Sequence, residues 1–290
     1  MNRLLGPMIG TVLLVGWTVA SADAWIESFA GETAGYRVMR GGEQIPVAIL
    51  ATLAPGDTVE VLTPDGEIVI VYQTGESKRL RAPDGAHRIE GSTEAPSALQ
   101  NLIRWSMDTV KGWYEKDYEM TRAAGVITRS TVSAITFPLF RGEGSWVGQR
   151  PEIEISWAGG LPPYQVKLQR IDALVAAEKI EAPATAVNIK NLAAGEYLLT
   201  VDDGWRRGSA RFSVVPESEI PVTPLEADTV DPRLQTMIES MWLAQREQGG
   251  YTLEAYQRLR LLADDYPPAH VAMDALLNGL SPQDPSVAPD

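Results

Sequence analysis

The chain has 290 residues, 44% of them hydrophobic and 22% charged, with a formal net charge of −13, two histidines and no cysteine. That charge argues against nucleic acid, whose phosphates demand clustered Lys and Arg, and against an anionic membrane surface. Without cysteine there is no disulfide scaffold and no thiolate chemistry, and with only His87 and His270 a zinc site lacks its usual ligands.

Residues 1–24 place Arg3 ahead of an apolar stretch from Leu4 to Ala20, followed by the small residues Ala22-Asp23-Ala24. This is the layout of a cleaved signal peptide. It predicts a mature chain starting near Trp25, periplasmic or secreted, with no membrane span after cleavage. The rival reading is an uncleaved anchor, against which Gly6, Pro7, Gly10 and Gly16 interrupt the run and no basic cluster follows it.

Residues 34–92 are short β-branched segments punctuated by Gly, Pro and Asp turns. Val59 and Val61 alternate with Glu60, predicting a half-exposed strand, whereas Ile68 to Tyr72 is apolar on both faces and predicts a central one. Pro64-Asp65-Gly66 is expected to join the two as a hairpin, and Pro83-Asp84-Gly85 repeats the signal one strand-pair later. Over residues 35–91 the order of glycine-rich turn, apolar strand, Pro-Gly-Asp, strand, Asp-Gly and strand resembles the extracytoplasmic domain of FecR-like proteins. The resemblance implies a small β domain and an extracytoplasmic compartment, and no reaction. Within this stretch Lys78, Arg79, Arg81, His87 and Arg88 form a basic cluster. It reads either as a binding face for an acidic polymer or partner, or as a solvated strand whose charges discourage edge pairing.

Residues 96–123 change period. Leu99, Leu102, Ile103, Met107, Val110, Trp113 and Tyr114 recur at three and four, which predicts an amphipathic helix with Ser97 as N-cap and Gly125 as stop. Its polar face carries both charge signs, which favours a connecting helix packed across neighbouring β domains over a membrane-surface helix.

From 126 to 216 alternation returns. Ile153, Ile155 and Trp157 alternate with Glu152, Glu154 and Ser156, and Val166 and Leu168 with Lys167 and Gln169, predicting sandwich strands with one wet face. The run Leu192 to Val201, with Gly195-Glu196-Tyr197 entering a strand, resembles the corner before the sixth strand of immunoglobulin-like or fibronectin-like domains. That resemblance makes Trp157 a core tryptophan. Between two of these strands Asp202 to Gly208 sets Trp205, Arg206 and Arg207 near a hairpin tip, a composition favoured at binding hot spots. Alternatively Trp205 folds back over the end of the sandwich.

Residues 217–231 hold two prolines and five acids with no basic residue, a linker signature. Three helical patterns follow over 232–279, marked by Leu234, Met237, Ile238 and Met241, by Ala255, Tyr256, Leu259 and Leu262, and by Val271, Ala275 and Leu276, with Gly249-Gly250 and Pro267-Pro268 between them. The Leu-Glu-Ala-Tyr-Gln-Arg-Leu run ending at Leu259, with Asp265-Tyr266-Pro267 after it, resembles one tetratricopeptide-type hairpin. A single such unit leaves its apolar face uncovered and is expected to dock either on the β domains of its own chain, the favoured reading, or on a partner chain. Residues 280–290 are expected to be a disordered tail.

Catalytic patterns are missing. Gly144-Ser145-Trp146-Val147-Gly148 is not a nucleophile elbow, no GKS, GKT or GxGxxG is present, and the pairs Asp202-Asp203 and Asp264-Asp265 are adjacent, so they point apart. The fold class expected is mainly β and multidomain: signal peptide 1–24, FecR-like β domain 34–92, connecting helix 96–123, immunoglobulin-like sandwich 126–216, acidic linker 217–231, helical unit 232–279 and tail 280–290. The function expected is that of a non-enzymatic exported interaction protein without catalytic residues, metal or cofactor. It binds a protein or envelope polymer, with Trp205, Arg206, Arg207, Lys78, Arg79 and Arg81 as candidate contacts. The alternatives are a cell-wall glycan binder, a signalling component controlling a membrane partner, and a glycoside hydrolase, which needs two carboxylates on a concave face.

Overall fold

The computed structural model describes residues 24–91, 96–123, 134–142, 144–170, 173–181, 185–223 and 230–283. The segment expected as a signal peptide, the Gly125 stop and the alternating run 126–133 therefore lie outside the described residues, except that Ala24 is described.

The first module contains β1 (Ala24–Phe29), β2 (Tyr36–Arg40), β3 (Glu43–Ile45), β4 (Thr52–Leu53), β5 (Thr58–Val61), β6 (Glu67–Tyr72), β7 (Ser77–Arg81) and β8 (His87–Arg88). They form two four-stranded sheets, ordered β4-β1-β6-β7 and β3-β2-β5-β8. Between them lies a core that includes Ile26, Tyr36, Val38, Val59, Val61, Ile68, Ile70 and Leu80. The hairpin expected at Pro64-Asp65-Gly66 is not formed. That turn carries the chain from one sheet to the other, and Pro83-Asp84-Gly85 does the same between β7 and β8. The cause is the two-faced apolarity of β6. It takes the middle of the first sheet beside β1 and β7, while half-wet β5 pairs with β2 and β8. Gly66 is needed for space, because a Cβ there would meet Thr63 Oγ1 at 2.5 Å and Val61 Cγ1 at 2.7 Å. The module also begins earlier than residue 34: Ala24, Trp25 and Ile26 are fully buried in a strand that the pattern of small residues had marked only as a processing site.

The second module contains β9 (Trp146–Gly148), β10 (Glu152–Ser156), β11 (Tyr164–Arg170), β12 (Ala173–Ile180), β13 (Ala186–Lys190), β14 (Gly195–Asp202) and β15 (Arg207–Val215). One sheet runs β12-β11-β14-β15-β9, with β9 parallel to β15, and it faces the two-stranded sheet β10-β13. This is an immunoglobulin-like sandwich. Its inner faces supply Ile153, Ile155, Val166, Leu168, Val187, Ile189, Leu199, Val201 and Phe212. At the start of β14 Tyr197 Oη donates to the Ala193 carbonyl at 2.7 Å, the tyrosine corner of such domains. Trp157 is buried edge-on to Tyr164, with ring centroids 5.3 Å apart.

Among the described residues four α-helices join the modules: α1 (Ala98–Ala123), α2 (Pro232–Gln245), α3 (Thr252–Arg260) and α4 (Pro267–Leu277). Ser97 caps α1 as a reciprocal box, its Oγ accepting from Gln100 N at 3.2 Å while Gln100 Oε1 accepts from Ser97 N at 2.7 Å. The buried stripe of α1, with Ile103, Met107, Val110 and Trp113, packs with α2 and α4, and that cluster runs without a break into Trp25 and Val71 on the back of the first sheet. This explains why β6 is apolar on both faces. On the other side α3 backs β9, where Trp146 lies 5.2 Å from the Tyr251 ring and Gln257 Nε2 donates to the Glu154 carbonyl at 2.7 Å. The C-terminal helices thus dock on both β modules of their own chain.

Two expected flexible stretches are tied down in part. Ile220, Thr223 and Val230 at the flanks of the acidic linker are buried, while 224–229 lie outside the described residues. Within the expected disordered tail, the Gln283 carbonyl accepts from Trp105 Nε1 at 2.8 Å, and 284–290 lie outside the described residues. Among the described residues no helix is long and apolar enough to cross a membrane.

Candidate functional site

The β14–β15 hairpin ends in Asp203-Gly204-Trp205-Arg206, closed by the pair Asp202 and Arg207. Gly204 sits at φ +87, which only glycine adopts without strain. Asp203 organises the tip from beneath. Its Oδ1 accepts from Trp205 N at 2.9 Å and Arg206 N at 2.7 Å, and its Oδ2 accepts from Leu161 N at 3.0 Å, tying the tip to the β10–β11 connection. The Trp205 amide and the other backbone donors hold the Asp203 carboxyl below the usual carboxylate range. Asp202 is lowered likewise, by the Gly204 amide and then by Arg207, whose Nε and Nη2 donate to it at 2.9 and 2.8 Å.

On this rigid turn Trp205 is 92% exposed. It does not fold back over the sandwich; Asp203 takes the Trp205 and Arg206 amides and fixes the turn, and the indole stands outward from it. Arg206 lies 3.8 Å from Asp203 and Arg207 is paired with Asp202, so the tip presents an aromatic plate flanked by guanidiniums whose charge is matched locally.

Below the tip the outer face of the sheet is a polar carpet. Cross-strand rows run Gln165, Asp202, Arg207, then Lys167, Thr200, Ser209, then Gln169, Leu198, Arg211. At a rise of about 3.4 Å per residue the third row lies roughly 14 Å from the first. There a cleft of about 520 Å³ opens, lined by Ser145, Gln169, Glu196, Arg211 and Ser213 among others. Among its described lining residues Glu196 is the one carboxylate. Sequence reading passed over this cleft, although the polar half of the alternation was its signal.

The basic candidates are elsewhere. Lys78, Arg79 and Arg81 lie exposed on β7, the edge of the first module's sheet. Arg79 and Arg81 close on Glu67 at 3.1 and 2.7 Å, which leaves Lys78 outside that cluster. Burial, then Lys78, pulls the His87 imidazole below the usual range, and its Nε2 lies 2.6 Å from Tyr72 Oη. The two candidate groups therefore occupy separate modules and do not form one site.

No protein-family model matches the chain, and no curated protein matches it. Among solved structures it is similar to the twitchin kinase fragment of C. elegans, with its kinase and immunoglobulin domains, at 15% identity and TM-score 0.21 over 44% of this chain and 34% of that one. It is similar to the N-terminal four immunoglobulin domains of Dscam1 isoform 6.9 at 10% identity and TM-score 0.23 over 67% and 44%, and to a chimeric titin Z1Z2 at 10% and 0.22 over 70% and 84%. The chain thus spans a third to under a half of the first of these structures. Scores at this level carry no functional weight. The immunoglobulin-like character of the second module stands on its own strand order and tyrosine corner.

Proposed function

We propose that the chain is an exported, non-enzymatic interaction protein that binds a protein of the cell envelope through the Trp205 tip of its immunoglobulin-like module. The observation that carries this reading is a tryptophan left 92% exposed on a turn that three backbone bonds to Asp203 hold rigid. Large exposed aromatics on preorganised tips lose little entropy on binding, and tryptophan is enriched among the few residues that dominate interface energies. The FecR-like reading of the first module and the tetratricopeptide-like reading of the helices belong to the same proposal, with the helices acting as the internal brace that fixes the tip relative to the first module.

Export requires a processing site that leaves β1 whole. Cleavage after Ala24 would put a charged amino terminus on Trp25, which is fully buried. Ala20-Ser21-Ala22 offers the same small-residue pattern two residues earlier and leaves Asp23-Ala24 ahead of it. Intact mass of the mature protein is expected to give an N-terminus at Asp23, and a retained residue 1 would refute cleavage.

Binding is tested by comparing the envelope proteins captured by tagged wild type and by Trp205→Ala. The variant is expected to keep its melting temperature and lose a specific captured protein. Equal capture, or a fall in stability of the size that truncating a buried Trp gives, about 3–5 kcal/mol, overturns the reading. A second reading, glycan binding, is favoured by the hydroxyl- and amide-lined cleft on the face below Trp205. Soluble cell-wall fragments that compete for capture in the same assay would select it.

A further inference from the structure

A second loop is tied to the Trp205 tip. The connection from β10 to β11 runs Gly159-Gly160-Leu161-Pro162-Pro163, where Leu161 is 53% exposed and both prolines are exposed. Two consecutive left-handed glycines shape it, Gly159 at φ +83 and Gly160 at φ +75. A Cβ on Gly160 would come within 3.2 Å of Asp203 Oδ2, so the glycine leaves that carboxylate room to reach Leu161 N. Asp203, its side chain 1% exposed, therefore holds both loops with one group: Oδ1 takes the Trp205 and Arg206 amides, and Oδ2 takes the Leu161 amide. The exposed tryptophan and the exposed leucine are thus set at a fixed spacing by a residue that is itself buried.

The polar groups of these loops narrow what can cover them. Asp203 N donates to the Arg206 carbonyl at 3.1 Å and Gly204 N to Asp202 Oδ1 at 2.7 Å, the Trp205, Arg206 and Leu161 amides go to Asp203, and the two prolines have no N–H. With those donors used internally, the surface is unsuited to adding a strand or gripping a peptide by main-chain bonds. Drying it orphans none of them. Its charges are matched as well, Arg207 with Asp202 at 2.8 Å and Arg206 with Asp203 at 3.8 Å, so it has no net charge with which to draw a charged polymer. The whole chain, at −13, is repelled by an anionic lipid surface. We propose that Leu161, with Pro162 and Pro163, is the second half of the Trp205 contact, and that the two loops enter an uncharged apolar hollow on a folded envelope protein as one knob. This rests on the reading that Trp205 contacts such a protein, and adds what that protein's surface must be. Asp203 is the positioning residue of the pair: it touches no partner and sets the spacing of the two side chains that do.

The test substitutes Leu161 in the full chain and uses as probe the envelope protein whose capture Trp205→Ala abolishes. Leu161→Ala is expected to raise the chain concentration for half-maximal capture about five- to tenfold, in keeping with the half of the leucine that stands exposed. Leu161→Lys and Leu161→Asp are each expected to raise it further, because an uncharged hollow rejects both signs. Wild-type capture is expected to change less than about twofold between low and high salt. An unchanged urea midpoint confirms that each variant folds. A photo-crosslinking group at 161 is expected to mark the same protein as one at 205, while one at Asn191, exposed at the opposite end of the sandwich, marks none. Full capture by all three Leu161 variants overturns the two-loop knob and leaves the Trp205 reading standing. Capture strengthened by either charge overturns the uncharged hollow, and Trp205→Ala capturing as wild type does overturns both readings together. Vesicles of phosphatidylethanolamine and phosphatidylglycerol in equal parts that sediment the wild type but not Leu161→Asp would assign the knob to the bilayer and overturn the protein partner.

Discussion

Glu254 on α3 is fully buried where the helical layer meets the immunoglobulin-like module. Its Oε2 accepts from Gly148 N at 2.8 Å and from Arg150, and its Oε1 accepts from Arg258 Nε at 2.7 Å. Replacing it with Gln keeps the shape and removes the charge, leaving Arg150, whose side chain is itself largely buried, against a neutral amide. Removing one member of a buried ion pair costs about 3–5 kcal/mol. The lower end applies here, because Arg258 keeps Glu217 at 3.0 Å and Glu239 at 3.7 Å, and Arg150 keeps Glu217 at 3.9 Å. About 3 kcal/mol corresponds to a fall in melting temperature of roughly 6–12 °C for a chain of this size. Burial works against the Glu254 charge, but Arg150, Arg258 and the Gly148 amide outweigh it and hold the carboxyl below its usual range. A depressed carboxyl contributes stability that is present above its unfolded pKa and lost as pH falls through its folded one. The Glu254→Gln penalty should therefore be full at neutral pH and shrink in acid. Urea unfolding of both proteins at neutral and acid pH measures this. A loss under 1 kcal/mol at neutral pH, or a penalty that does not shrink in acid, would refute the view that this carboxylate locks α3 to the sandwich.

Three further outcomes are expected. Glu27, buried on β1 with Arg233 3.2 Å away, has the opposite sign, because burial outweighs Arg233 and raises its carboxyl. Its contribution therefore weakens as pH rises from the unfolded carboxylate pKa through the raised folded one, and Glu27→Gln should flatten that slope in urea titrations at stepped pH. Tyr197→Phe removes the corner bond to Ala193 and should lower stability by about 1 kcal/mol, seen as a shifted urea midpoint with an unchanged slope. Hydrogen exchange should show residues 234–262 protected in the full chain and unprotected in an isolated 230–283 fragment, whose Trp25-, Val71- and Trp146-facing surfaces are then bare. Equal protection in both would show that the helices need no docking.

Much of this architecture is legible in the sequence wherever one period governs a long stretch. The three-and-four recurrence in 99–114, the alternation around Ile153 and Val166, and the prolines and glycines separating the last helices each mark a real element. Pairing was not legible. Pro64-Asp65-Gly66 has hairpin composition, but composition does not say whether a turn returns to its own sheet or crosses to another. The crossing is set by β1, a strand lying directly after an apolar leader pattern. The two-faced apolarity of Ile68 to Tyr72 was readable as burial, and only the packed helices show what covers the second face. The Trp205 tip was legible as a turn, while its anchoring to the β10–β11 connection rests on Asp203 bonding to Leu161, 42 positions away.

The central claim, the proposal that Trp205 is the contact to a partner, is tested most directly by a photo-crosslinking side chain at position 205 in the full chain, activated in intact cells. A discrete adduct with an envelope protein is expected, suppressed by excess wild-type protein and absent when the same group replaces Lys78. No adduct from 205, with a specific one from 78, would contradict the account and move the binding surface to the basic edge of the first module.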